Sequence, residues 1–339
     1  MNAREQAQAR WDRVAKPLNS LGKLEKLIVQ IAGMQGTPDV RIGKRCVLVF
    51  CGDHGVVTEG VSQSGSEVTA LVAKAVAEGT ANVNLMAGVS HADVFAVDMG
   101  MMTAVPGAID RRIAAGTQNM AQGAAMTRAQ ATQAIQAGID LAGEMKSRGY
   151  QMIATGEMGI GNTTAAAAMA CALLGCTPEE LTGRGAGLSD AGLMRKQKAI
   201  TRALNINQPD AADPIDVLTK VGGFEIAGMA GAFLGGIHHG VPIIIDGVIS
   251  AVAALAAVRI CPAALDFMLP SHISREPAMV RIMAELGMEP ILRADMALGE
   301  GTGAVALLPL LDMALRVYHG PHTFDDLGMA AYVPQGEQA

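Results

Sequence analysis

The sequence predicts an α/β fold in which a mostly parallel sheet is covered by helices on both faces. Three observations carry that expectation. Short apolar runs recur, and each ends abruptly in Asp, Glu or Gly. Ala-rich stretches of helical length separate them. Across 339 residues half the side chains are apolar and 17% are charged, enough for a large core and too apolar for disorder.

Residues 1–35 read as helical, with Leu24, Leu27, Ile28 and Ile31 at a 3–4 spacing between Gly22 and Gly33. The pattern then changes. The run 46–51 is wholly apolar, as a strand buried on both faces must be, and stops at Gly52-Asp53-His54-Gly55. The same grammar recurs. Residues 92–97 lead into Asp98-Met99-Gly100, 151–155 into Gly156-Glu157-Met158-Gly159, and 241–245 into Asp246-Gly247. Helices are expected at 66–89, 127–148, 163–175, 189–204, 224–238 and 248–260. Sheets of this kind bind ligands at the carboxyl ends of their strands, where these Asp, Glu and Gly residues fall. Residues 334–339 read as a loose tail.

Charge and cysteine content narrow the function. The net charge is −6, with no basic stripe, so nucleic acid is not an expected partner. The cluster Arg195-Lys196-Gln197-Lys198 is too short to change that. The five cysteines, 46, 51, 171, 176 and 261, fit no CxxC framework and read as small buried hydrophobes. Such usage predicts a reducing cytosol and a cytoplasmic protein. The amino terminus lacks the apolar core of a leader, and Asp246, Gly247 and Ser250 interrupt the apolar stretch 241–258, so no membrane span is expected. Long Ala/Gly/Met stretches predict tight helix packing and an apolar subunit interface.

Three glycine-rich segments carry the candidate chemistry. Gly156-Glu157-Met158-Gly159-Ile160-Gly161-Asn162-Thr163-Thr164 follows a strand and opens a helix. Its glycines let backbone N–H groups approach an anion, and Thr163 and Thr164 are expected to cap the helix. It is not a P-loop, because GxxxxGK[ST] is absent. Gly183-Arg184-Gly185-Ala186-Gly187 precedes a helix carrying Lys196 and reads as a second anion cradle. Gly299-Glu300-Gly301-Thr302-Gly303 brackets a carboxylate before an apolar helix. Partial desolvation there should raise its pKa toward neutrality, as a general base requires. A metal at Asp53 and His54, with Asp98, Asp246 and His272, is the weaker reading, because no HExxH or HxH spacing is present. His54 is better read as a structural hydrogen-bonding residue. No metal or cofactor is expected.

In this order the segments resemble the nicotinate-nucleotide–dimethylbenzimidazole phosphoribosyltransferases of cobamide biosynthesis. The resemblance runs through Lys16-Pro17-Leu18-Asn19-Ser20-Leu21-Gly22-Lys23-Leu24-Glu25, then Asp53-His54-Gly55-Val56 with Glu67-Val68-Thr69, then the 156–164 loop. It continues through Lys220-Val221-Gly222-Gly223-Phe224-Glu225, Asp246-Gly247, Ser271-His272 and the 299–303 loop. It implies a doubly wound α/β domain over 36–310. A smaller helical domain would combine 1–35 with part of the carboxyl-terminal region, where 311–339 would form a helix and tail. It further implies a homodimer whose substrates are nicotinate mononucleotide and an aromatic base. By the same resemblance Glu300 is the catalytic base, and Glu157 and Lys196 line the nucleotide side. Gly159, Gly161, Asn162, Thr163, Thr164, Gly185, Gly187, Gly222 and Gly223 cradle the phosphoribosyl group, and Ser64, Gly65 and Val72 belong to the acceptor pocket. The chain departs from relatives that carry proline after Ser64 or Gln at Val72. The acceptor is therefore 5,6-dimethylbenzimidazole by default, with a purine or a phenol as alternatives. A ribokinase-like kinase would need Asp directly after Gly187, where Leu188-Ser189 intervene. A non-catalytic nucleotide sensor would leave the Glu300 loop without a purpose.

Overall fold

The computed structural model describes residues 1–333; the tail expected at 334–339 lies outside the described residues. The strands are β1 (Arg45–Gly52), β2 (Asp93–Gly100), β3 (Ile109–Asp110), β4 (Met152–Met158), β5 (Ile243–Ile245) and β6 (Met268–Pro270). They pair in parallel throughout, in the order β3-β2-β1-β4-β5-β6. The chain winds outward both ways from the centre, so the sheet is doubly wound and its order reverses between β1 and β4. The four expected apolar runs are β1, β2, β4 and β5. The short strands β3 and β6 extend the sheet at its two edges.

Around the sheet lie α1 (Ala3–Arg13), α2 (Lys23–Gln35), α3 (Glu67–Ala77), α4 (Asn82–Val89), α5 (Arg128–Ser147), α6 (Asn162–Leu174) and α7 (Pro178–Leu181). They are followed by α8 (Asp190–Asn207), α9 (Pro214–Val221), α10 (Phe224–His239), α11 (Val248–Ile260), α12 (Ala278–Glu285) and α13 (Thr302–Tyr318). The single helix expected over 66–89 is two, because Gly79 turns left-handed (φ +78°) and ends the first. Cys176 is not in a helix, since α6 closes on a left-handed Gly175. No helix among the described residues is long and apolar enough to cross a membrane.

Strand alternation builds a core on each face. Cys46, Leu48 and Phe50 of β1 point to one core, and Val47, Val49 and Cys51 to the other. The first core takes α5, α6, α10 and α11, and the second α2, α3, α4 and α13. Helices α5 and α10 approach so closely that a Cβ at Gly231 would overlap the Ile135 carbonyl. The small residues of these helices permit that approach, which larger side chains would block.

Both chain ends meet on the second face. Trp11 of α1 packs on Tyr318 of α13 with ring centroids 5.0 Å apart, and Val14 bridges Thr323. The 16–25 segment is a structural turn, in which Lys16 Nζ lies 2.7 Å from the buried Glu25 Oε1, which also accepts from the Leu21 N–H. Helix α13 runs unbroken through 310/311, so the carboxyl-terminal helical segment begins at Thr302. A two-pronged pair from Arg45 to Asp312, at 2.7 and 2.6 Å, ties α13 to the start of β1.

Candidate active site

A cavity of about 270 Å³ opens at the carboxyl ends of β4 and β5, closed on one side by the segment after β6 and on another by the loop before α13. Four carboxylates line it, Glu157, Asp246, Glu276 and Glu300. Glu157, at the end of β4, is buried, and its Oε2 accepts a hydrogen bond from Asn162 Nδ2. Its Oε1 lies 2.5 Å from where a Cβ of Gly299 would stand, so only glycine fits there without displacing it. Burial, reinforced by the nearby Asp246 charge, pushes the Glu157 carboxyl up to about 8.

Glu300 is held in an uncommon backbone conformation. It takes φ +62° between Gly299 (φ +84°) and Gly301 (φ +89°), three successive left-handed residues. The turn aims its carboxylate back across the cavity mouth, where Oε2 accepts from the Val83 N–H, 3.3 Å away, in the first turn of α4. Burial raises its pKa, the Val83 bond opposes that, and Asp246 adds to the rise. Asp246 fastens the loop from behind, with Oδ1 accepting from the Ala304 N–H (2.9 Å) and Oδ2 from the Gly301 N–H (3.3 Å). An acidic residue at the start of α13 also suits the positive helix end.

The cationic side of the site is Lys196. It is fully buried, and Nζ donates to Thr163 Oγ1 (2.8 Å) and the Gly183 carbonyl (3.2 Å). Burial lowers its pKa to about 8, with Glu276 acting in the opposite sense. Thr163 and Gly185 both line the cavity, so the ammonium lies just behind the two glycine-rich segments. The Gly185 N–H points to Glu276 Oε1 at 3.0 Å.

The expected site residues divide in two. Glu157, Gly159, Asn162, Thr163, Gly185, Glu300 and Val72 line one cavity, with Lys196 behind it. Gly161 lines a smaller recess of about 70 Å³ beside it. Gly187 lies farther out, against Gln63. Gly222 and Gly223 precede α10 on the inner side, where Gly223 packs on His54 and Glu225. Ser64 and Gly65 do not line the cavity; Ser64 is exposed, and Gly65 packs on its own loop's Glu67. The threonine caps are also corrected. Helix α6 starts at Asn162 on a left-handed Gly161 (φ +97°), so Thr163 and Thr164 fall inside its first turn.

His54 is a buried structural residue, with Nε2 2.7 Å from Glu225 Oε1. Asp53 accepts from the Met102 N–H and Asp98 from the Met101 N–H. No group of three or more His, Cys, Asp or Glu among the described residues is arranged to hold a metal.

A phosphoribosyltransferase family model matches residues 1–329. The nicotinate-nucleotide–dimethylbenzimidazole phosphoribosyltransferase of Acetivibrio thermocellus is 44% identical over 98% of this chain and 95% of its own length. The chain belongs to that family. The Geobacter metallireducens member is also 44% identical, over 96% of this chain and 93% of its own. The crystal structure of CobT from Thermus thermophilus matches with a TM-score of 0.91 and 40% identity, covering 97% of this chain and 99% of that one.

Seen as a phosphoribosyltransferase, the cavity holds residues that were not among the expected site set. Asp246, His272, Ser274, Glu276, Ile249 and Leu298 all line it. Asp246 had a signal, as a carboxylate directly after an apolar run. His272 and Ser274 follow β6, whose three residues are too few to show a strand pattern.

Proposed function

We propose that this chain transfers the phosphoribosyl group of nicotinate mononucleotide to 5,6-dimethylbenzimidazole or a related lower-ligand base. The products are nicotinate and an α-ribosyl phosphate of the base, as used in cobamide nucleotide-loop assembly. The observation that carries this reading is the pairing of Glu300 and Glu157 across one cavity, with Lys196 behind its glycine-rich wall.

In the transfer, the bond from the ribose anomeric carbon to the pyridinium nitrogen breaks, and its electrons neutralise the ring. The unprotonated ring nitrogen of the base forms the new bond on the opposite face. The proton on its other nitrogen passes to Glu300. The loop geometry favours this, because a carboxylate whose pKa is raised by burial is a stronger base than one in water. Glu157 stabilises the positive charge that gathers at the anomeric carbon. Thr163 and the Lys196 ammonium hold the phosphate. Val72, Ile160 and Leu298 offer an apolar slot for a flat ring. A neutral leaving pyridine calls for no cation to stabilise it. The protein is read as cytoplasmic, and as a homodimer.

Glu300→Gln keeps the side chain's size and removes its basicity. The variant is expected to bind nicotinate mononucleotide as the wild type does and to lose turnover by roughly 10²–10⁴-fold. Calorimetric affinity beside steady-state kcat checks both halves, and an undiminished kcat removes Glu300 from its role as base.

A further inference from the structure

His272 has no part in the scheme above, yet its ring lines the cavity and its protonation pattern can be read from its neighbours. The ring is wedged against Gly303, where any Cβ would overlap it. Nδ1 lies 3.1 Å from Ser271 Oγ. That hydroxyl has one hydrogen, and its 2.6 Å contact to the Ile245 carbonyl oxygen requires the hydrogen to be there. Ser271 Oγ can then only accept from His272, which places the ring hydrogen on Nδ1. Burial disfavours the imidazolium, against a weaker opposing pull from Asp246. His272 is therefore neutral, and its Nε2 is a lone-pair acceptor without a partner among the described residues. On the same wall Ser274 Oγ is buried and also unpartnered. Ser274 Oγ and His272 Cε1 each lie 3.9 Å from the Cβ position of Gly247, so the two side chains converge over that glycine.

Once a bound substrate displaces water from Nε2, that acceptor needs a donor from the substrate. The substrates have few to give. The nicotinate carboxylate has none, and a phosphate monoester is mostly dianionic near neutral pH. The single N–H of a benzimidazole goes to Glu300. The ribose hydroxyls remain. We propose that His272 Nε2 accepts a hydrogen bond from one ribose hydroxyl of the nucleotide, with Ser274 Oγ binding its neighbour. The wall thus selects a ribosyl over a deoxyribosyl donor. This inference rests on the phosphoribosyl reading above.

The test compares kcat/KM for nicotinate mononucleotide and its 2′-deoxy and 3′-deoxy analogues, with one fixed acceptor. Wild type should lose roughly tenfold or more when the recognised hydroxyl is removed. His272→Ala should lose a similar factor with the ribonucleotide and no longer distinguish the analogue lacking that hydroxyl. His272→Gln, whose amide oxygen can reach the Nε2 position, should restore most of the discrimination. The greater lability of a 2′-deoxyglycosidic bond is common to all three proteins and cancels. An Ala variant that discriminates at both hydroxyls as well as wild type does overturns the proposal.

If the Ala variant does not fold, nitrogen-15 spectra of the wild-type protein decide. They should show His272 Nε2 unprotonated when free, shifted by the ribonucleotide and not by the deficient analogue. A protonated Nε2, or equal shifts with all three nucleotides, contradicts the assignment. Absence of nicotinate release with every acceptor would count against the phosphoribosyl reading itself, whereas release with unaltered discrimination counts against His272 alone.

Discussion

Glu157 lines the cavity and Lys196 lies behind its wall, with pKa values displaced toward each other, both to about 8 and both chiefly by burial. Glu157 is therefore expected to retain its proton near neutral pH when no nucleotide is bound. A bound pyridinium beside it favours the carboxylate and expels that proton, while the phosphate draws a smaller amount onto Lys196. Calorimetry at pH 7.5, in buffers of different ionisation enthalpy, should show net proton release on binding nicotinate mononucleotide. Glu157→Gln removes the release and leaves only the uptake, so the sign should reverse. Well above pH 8 wild-type release should vanish, because Glu157 is already ionised. Binding heats that do not depend on the buffer would mean that Glu157 does not meet the cation. At this scale the two carboxylates were legible in the sequence, because each sits among glycines at a strand end or helix start. His272 was visible in the Ser271-His272 motif but its role was not, since that depends on which hydrogen a neighbouring serine has already committed. Ser64 and Gly65 stand outside the cavity lining in this chain, because resemblance fixes a loop's sequence position and not the direction it faces.

At the scale of elements, β4 and the 299–301 turn form one unit. A Cβ at Gly156 would stand 2.5 Å from the Glu300 carbonyl oxygen, so the strand bears directly on the loop that aims the base. Gly156→Ala should shift that loop and cost about 1–3 kcal/mol of stability. Its kcat should fall by more than the stability loss explains, since a displacement of about 1 Å at a reacting group can cost roughly 10²-fold. Urea unfolding together with kcat measures the two effects, and a destabilised variant of normal kcat would uncouple strand from loop. Elements of eight residues or more with a clear pattern, such as β1 and α5, were readable from the sequence. The three-residue β6 and the two-residue β3 were not, because pairing to a neighbour rather than local pattern creates them, and the break between α3 and α4 rests on the single left-handed Gly79.

For the whole molecule, alternating strands and helices were enough to give a parallel sheet, and the six-strand order with its parallel pairings bears that out. The terminal helices were less legible, because α13 is held in place by an ion pair to β1 and a stack on α1. Several large aliphatic side chains of α3 and α4 are exposed. Leu71 of α3 is 63% exposed, and Leu85 and Val89, a turn apart on α4, are 68% and 76% exposed. Aliphatic side chains so placed support the homodimer reading. Light scattering after size exclusion should give twice the 34.9 kDa chain mass, and Leu85→Glu with Val89→Lys should return it to one chain; a wild-type monomer would remove the homodimer from the account.

The most direct measurement is a mass-resolved assay of the purified chain with nicotinate mononucleotide and a mixed panel of benzimidazoles, purines and phenols. One nicotinate should be released for each ribosyl phosphate transferred, with 5,6-dimethylbenzimidazole or a close relative the preferred acceptor. Nucleotide that binds but yields neither nicotinate nor a ribosylated base with any member of the panel would contradict the transfer.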